Sequence, residues 1–204
     1  MKKLLLIIAI LLANVTVLVA QPNLSIRAGY NHATWGFGNN DETTWISGAN
    51  FGVTTDLGKG EKVSFRPGIY FSAKGYGHND DDVPRVRLNY VEMPLLAVFN
   101  VKGGDNVNFE FQAGGYMAYG IGGKTKVQSA VEYLPETHSV SPKYVKEKSF
   151  AGNCKVDKFD AGVNAGFGVN IHRFYIGVAY DFGLRVSCKS SHQCFMANVG
   201  YRLL

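Results

Sequence analysis

Past residue 20 the sequence has no continuous apolar run of the roughly 20 residues that a membrane helix requires, so no helical transmembrane protein is encoded there. Charge is sparse, with Asp, Glu, Lys and Arg making up 18% of the chain. Setting aside Lys2 and Lys3 leaves a net charge of about +3, and no basic stripe is interleaved with stacking aromatics, so nothing points to nucleic acid. Cysteine is limited to Cys154, Cys188 and Cys194, whose spacing matches no zinc pattern even with His192 nearby. No calcium loop is present either: "HNDDD" at 78 to 82 lacks the spaced oxygen ligands and the glycine that such a loop needs, and reads as a solvated loop tip. The 24 glycines form no triplets and no repeat, which excludes collagen and solenoid plans.

What is present begins with a targeting segment. "MKKLLLIIAILLANVTVLVA" has the basic n-region and apolar h-region of a secretory signal, with Ala20-Gln21 as the cleavage point and Leu18 where a small residue is usual. An uncleaved anchor is the competing reading, and its apolar stretch is about the shortest that could span. No cysteine follows the h-region, which argues against lipoprotein processing. The expectation is an exported protein with residues 21–204 as one domain.

That domain alternates with a period of two from end to end, which is the mark of strands. Phe159, Ala161, Val163, Ala165, Phe167, Val169 and Ile171 alternate with Asp160, Gly162, Asn164, Gly166, Gly168 and Asn170. After "HR" the phase resumes with Phe174, Ile176, Val178, Tyr180, Phe182 and Leu184 against Tyr175, Gly177, Ala179, Asp181, Gly183 and Arg185, which predicts an antiparallel hairpin. Similar runs cover 24–30, 48–57, 63–74, 107–119 and 195–203. The segment 86–101 is less regular, because Leu88 and Tyr90 fall in phase with Glu92 and Pro94, and a bulge is expected there since Pro94 cannot donate to a ladder. The total is eight strands.

Connections alternate too. Those at 57–62, 102–106 and 171–173 are short, while 34–45, 75–85, 121–157 and 187–194 are longer and polar. An even strand count with short turns at one end and long loops at the other is the plan of an all-β, eight-stranded antiparallel up-and-down transmembrane barrel. A soluble lipocalin-like carrier is the rival, with the apolar face lining a ligand cavity. The polar face is poor in Lys and Glu and rich in Gly, Asn and Ser, which suits a crowded interior. The other face is nearly free of charge and sets Tyr30, Trp45, Tyr119, Tyr180 and Tyr201 near strand ends, where interfacial aromatic girdles sit. In hydrocarbon every backbone polar group needs a partner, so residues 198–204 are expected to pair with 24–30 and close the barrel.

At "RLNYVEMPLL" (87–96), with "FRPGIYFSAKGYG" (65–77) before it and "FEFQAGGYMAYGIGGK" (109–124) after it, the chain resembles the small outer-membrane barrel domain common in Bacteroidota, the porin-family or PorT-like barrels. Its most specific part is Tyr90, Glu92, Met93, Pro94, Leu95 and Leu96. The resemblance implies a fold and an outer-membrane location, with insertion by the barrel-assembly machinery, and no shared catalytic residues. The C-terminal strand departs from the usual assembly signal by ending in Leu204 where an aromatic residue is common.

Arg27, Arg66 and Arg202 with Glu92, Glu110 and Asp181 fall on the inward face, and charges withdrawn from water must be paired or hydrated, so a salt-bridge network filling the lumen is expected. A narrow porin-like channel for small solutes is the alternative reading of the same set. An exported location permits disulfides. Cys188 with Cys194 would close one short loop, and either with Cys154 would tie two loops together. Lys124, Lys126, Lys143, Lys146, Lys148 and Lys155 in the longest loop either meet lipopolysaccharide phosphates or solubilise the surface. Ser139 beside His138 and Ser191 beside His192 are the only pairs suggestive of a hydrolase, but neighbours in a strand face opposite ways and no acid is placed to orient the histidine. No catalytic, cofactor or metal residues are assigned. The expected role is structural or surface interaction through the outer loops, with outer-membrane lipid and a surface or periplasmic protein as partners.

Overall fold

The computed structural model describes residues 23–36, 43–58, 62–78, 86–134, 139–148, 157–185 and 191–203. They form β1 (Leu24–Trp35), β2 (Thr43–Thr44), β3 (Ile46–Thr55), β4 (Val63–His78), β5 (Val86–Lys102), β6 (Val107–Leu134), β7 (Ser139–Lys148), β8 (Phe159–Ile171), β9 (Phe174–Gly183) and β10 (His192–Arg202). Eight of these pair in an antiparallel circuit: β1 with β3, then β4, β5, β6, β8, β9 and β10 in turn. β10 returns to β1 with Ser25 opposite Arg202 and Gly29 opposite Asn198, so the wall closes as expected. Closure gives each wall strand a partner on both sides, which alone removes sheet edges.

The two-residue period decides which side chains enter. Arg27, Asn31, Asn50, Arg66, Ser72, Lys74, Glu92, Glu110 and Asp181 are buried inside. Phe51, Phe111, Phe174, Ile176 and Val199 point outward and are half or more exposed. This orientation overturns the lipocalin-like carrier: the apolar face cannot line a cavity, because polar and charged side chains already occupy the interior. The signal segment, residues 1–20, lies outside the described residues.

Two expectations are corrected. The segment 121–157 is not one long loop, since β6 runs on to Leu134 and β7 folds back against it. Val127, Val131, Tyr133, Val140, Tyr144 and Val145 supply the β-branched and aromatic residues that favour strand, and the abundance of lysine had hidden them. The bulge near Pro94 also lies elsewhere. On the β5–β6 seam Tyr90 faces Gly120 whereas Asn89 faces Gly122, so the extra residue is Ile121 of β6. Pro94 lies instead in a gap of the β4–β5 ladder, between the pairs Pro67–Leu95 and Tyr70–Glu92. The phase of β5 was hard to read because the strand is apolar on both faces, with Val86, Leu88, Tyr90, Leu96 and Val98 buried inside.

Candidate functional site

Two polar layers fill the barrel. The layer nearer the short turns centres on Glu110 of β6, which is 0% exposed. Arg66 donates to it through Nη1 at 2.5 Å and Nη2 at 2.9 Å, Arg27 through Nη2 at 3.1 Å, and Asn170 through Nδ2 at 2.8 Å. Arg66 also reaches Asp56, from Nε at 2.5 Å and Nη2 at 2.9 Å. Two guanidiniums therefore meet two carboxylates, and the layer is charge-neutral. Planar forks facing carboxylates form the strongest hydrogen-bonded pairs available to a protein. The Tyr175 ring lies 3.7 Å from the Arg27 guanidinium, a cation–π contact. That ring lies across Gly168 and Gly177, where a Cβ would overlap it, so glycine in these strands has a packing reason.

The second layer, nearer the long connections, centres on Lys74 of β4, which is 2% exposed. Lys74 Nζ donates to Asp181 Oδ2 at 2.6 Å and stands 2.5 Å from Glu92 Oε2 as a charge contact that lacks hydrogen-bond geometry. Asn164 donates to the other Asp181 oxygen at 2.6 Å. The Tyr116 ring lies 4.7 Å from Lys74 Nζ, and its hydroxyl donates to Asp160 at 3.3 Å. Beyond this layer Val86, Leu88, Tyr90, Tyr116 and Ala118 form an apolar cluster, and the Tyr90 hydroxyl stands 3.3 Å from His192 Nε2.

Little space separates the layers. A cavity of about 30 Å³ lies between Arg66, Glu92 and Asn164, room for about one water molecule. Arg27 Nε, Asn50 Oδ1, Gln112 Oε1 and Asn198 Oδ1 are buried among the residues that line it, without hydrogen-bond partners among the described residues. At the short-turn mouth the interior widens into a polar vestibule of about 730 Å³, reaching from His172 and Arg202 to Asp56 and Ser64.

Of the six residues expected inside, Arg27, Arg66 and Glu110 meet in the first layer, and Glu92 and Asp181 meet in the second through Lys74. Arg202 stands apart, half-buried in the vestibule wall. Lys74, Asp56 and Asp160 were not singled out in the sequence, although each falls on the inward side of the same alternation. Cys194 is not a loop residue. It lies in β10, fully buried, as a free thiol whose Sγ contacts the Phe195 carbonyl at 3.6 Å. Cys154 and Cys188 lie outside the described residues, as do His138, Lys155 and residues 79–82. Ser191 and His192 are both buried, at 2% and 3% exposure.

On the outer wall, Tyr30 hydrogen-bonds Ser47 at 2.6 Å, and His32 stacks between Tyr30 and Trp45 at centroid distances of 6.1 and 5.1 Å. Tyr201 packs on Phe174 at 5.1 Å near the opposite end. Beyond the wall β6 and β7 continue as a two-stranded ribbon, from Lys124 opposite Lys148 to Leu134 opposite Ser139.

No curated protein matches the chain in sequence. Among solved structures it is similar to Ail, the attachment invasion locus protein of Yersinia pestis, at 12% identity and a TM-score of 0.44, over 90% of this chain and 100% of that one. It is similar to Neisserial surface protein A at 12% identity and 0.46, over 88% and 97% of the two chains. It is also similar to the outer membrane enzyme PagL at 8% identity and 0.46, over 88% and 99%. The family model of the outer membrane protein beta-barrel domain matches residues 19–188, and with its closed wall, apolar outer face and charged interior the chain belongs to that family.

Proposed function

We propose that this small outer-membrane barrel is sealed, and that it acts as a structural or surface-interaction protein through the β6–β7 ribbon and the neighbouring outer connections. The observation that carries this reading is the interior itself. Two layers of paired charge and an apolar cluster leave a cavity of about 30 Å³ between the layers, too small for a solute. A non-catalytic role is supported by the burial of Ser191 and His192, whose ring faces Tyr90 edge-on at 5.6 Å. Export through a cleaved signal at residues 1–20 and insertion by the barrel-assembly machinery complete the proposal. The narrower kinship with PorT-like barrels of Bacteroidota rests on the stretch from Tyr90 to Leu96.

A narrow channel is the second reading, favoured by the vestibule of about 730 Å³ at the short-turn mouth of the lumen. Single-channel recording in planar bilayers separates the two. The sealed barrel gives no discrete current, whereas steps that scale with salt concentration would replace it with the channel.

A further inference from the structure

The first charged layer is also the floor of a cup. The vestibule of about 730 Å³ at the short-turn mouth is bounded by Asp56 and Asn170, which belong to that layer, and rimmed by Gly58, Asp105 and His172 of the three short turns. Its volume falls within the range of about 300–1,000 Å³ usual for small-molecule sites, but its lining departs from their apolar pattern. Among the described residues that line it Val107 alone carries an apolar side chain, while Asn23, Asn100, Asn106, Asn108 and Asn170 supply amides. An apolar occupant would strip water from those amides and return no hydrogen bonds. The cup therefore selects a ligand that carries many hydroxyl or amide groups of its own.

Donors and acceptors stand ready for such a ligand. Asn108 Nδ2 donates to Asn100 Oδ1 at 2.8 Å across the β5–β6 seam, and Asn170 Nδ2 donates to Glu110 Oε2 at 2.8 Å. These bonds fix three amides in place and leave Asn100 Nδ2, Asn108 Oδ1 and Asn170 Oδ1 without a partner among the described residues. Holding them in advance lowers the side-chain entropy lost on binding. Ser64, on the same lining, is 8% exposed, and its Oγ has no hydrogen-bond partner among the described residues. Buried polar groups are otherwise almost always paired.

Charge narrows the class further. Asp56 is already committed to Arg66, so Lys102 and Arg202 stand against Asp105 in the rest of the lining, an excess of one positive charge with His172 neutral. The Arg202 guanidinium is half-buried and has no acid partner among the described residues. A guanidinium fork matches a carboxylate. A single excess charge suits a carboxylate, which carries one, better than a phosphate monoester, which carries about 1.5 to 2. Short turns of outer-membrane barrels lie on the periplasmic side, so the cup opens away from the cell surface.

We propose that the short-turn vestibule is a blind binding cup for a carboxylated amino sugar, its carboxylate on Arg202 and its hydroxyl and acetamido groups on Ser64, Asn100, Asn108 and Asn170. The site lies at the opposite end of the barrel from the outer connections. It goes beyond the surface-interaction reading and shares with it only the sealed floor.

The test titrates the full-length folded barrel in detergent with N-acetylmuramic acid, followed by saturation-transfer NMR, with N-acetylglucosamine and lactate as comparisons. The first comparison lacks the carboxylate and the second lacks the sugar. N-acetylmuramic acid should bind about tenfold more tightly than N-acetylglucosamine, the effect of one hydrogen bond to a charged group, and lactate should bind weakest. Arg202→Gln should bring the acid down to the level of N-acetylglucosamine and leave the neutral sugar unchanged, whereas Arg202→Lys should keep part of the preference. Asn108→Ala should weaken both sugars. Equal binding of all three probes, no binding of either sugar, or an unchanged preference in Arg202→Gln would overturn the proposal. Heat-shifted migration of each variant confirms that the barrel is folded. Conductance tests the floor separately. A barrel that conducts and still binds with this preference keeps the cup and loses the sealed lumen, and a sealed barrel that binds none of the probes keeps the lumen and loses the cup.

Discussion

Arg66 and Glu110 meet inside the barrel as a two-point pair, one nitrogen on each carboxylate oxygen, at 2.5 and 2.9 Å. Their strands are not neighbours, since β4 and β6 are separated by β5. The pair therefore joins second-neighbour strands, and Arg27 on β1, four strands from β6 round the wall, carries the same cluster across the lumen. Wall hydrogen bonds hold adjacent strands; the Glu110 cluster holds strands that are not adjacent, and its Arg27 contact holds opposite ones.

Removing the shared acceptor is the sharpest test of that bridge. Glu110→Ala leaves two guanidiniums buried, Arg66 at 4% and Arg27 at 7% exposure, with only Asp56 to offset them. Breaking one partner out of a buried network costs about 3–5 kcal/mol. Urea unfolding in lipid vesicles, followed by tryptophan fluorescence, should show a loss of that size. A loss below about 1 kcal/mol would mean that water already satisfies both arginines.

Glu92→Gln separates a structural pair from a gate. The change keeps the shape of the side chain but removes its charge contact with Lys74, which retains Asp181. With a packed lumen the expected outcome is a stability loss of about 1–3 kcal/mol and no new current. An increase in single-channel current in this variant would make Glu92 a gate residue and restore the channel reading.

Much of this architecture was legible in the sequence because a barrel needs only a parity and a closing register. The odd and even runs of 159–184 give both faces of β8 and β9 directly. The inward charges Arg27, Arg66, Glu92, Glu110 and Asp181 followed from the same count. What stayed illegible depended on contacts across the lumen. Nothing local to Lys74 says that it meets Asp181, which is 107 residues away. Parity also fails wherever a strand is apolar on both sides, as in β5, or gains a residue, as β6 does at Ile121. Cys194 looked like a loop residue because polar sequence surrounds it, yet β10 begins before it.

The glycines inside the strands make a separate prediction. Tyr175 lies across Gly168 and Gly177, so Gly168→Val would force the ring off both glycines and away from Arg27. Overpacking of this kind costs about 1–3 kcal/mol. The expected readout is a reduced folded fraction on a heat-shift gel. Recovery in Gly168→Val/Tyr175→Ala would show that the ring, and not strand propensity, is the cause.

Orientation is tested from outside. Phe111 is 50% exposed near the middle of the outward face of β6. A membrane-spanning wall predicts that Phe111→Arg destabilises the folded barrel by about 2–4 kcal/mol in vesicles, the cost of arginine at the bilayer midplane. In a water-exposed wall the same substitution would change stability by no more than a few tenths of a kcal/mol.

The last prediction concerns the thiols. Cys194 is 0% exposed and lies beside the second charged layer, so a disulfide to a surface loop would require its strand to turn outward. Because the two-residue period fixes which face each β10 residue presents, turning Cys194 outward would also carry Met196 out and bring Phe195, now 42% exposed, into the lumen. In Cys154→Ala/Cys188→Ala the remaining thiol should therefore stay unlabelled by a bulky maleimide while the barrel is folded, and label fully once it is boiled in detergent. Labelling of the folded protein at the rate of a free peptide would mean that β10 opens from the wall near His192, and that the outer end of the barrel is looser than its buried pairs imply.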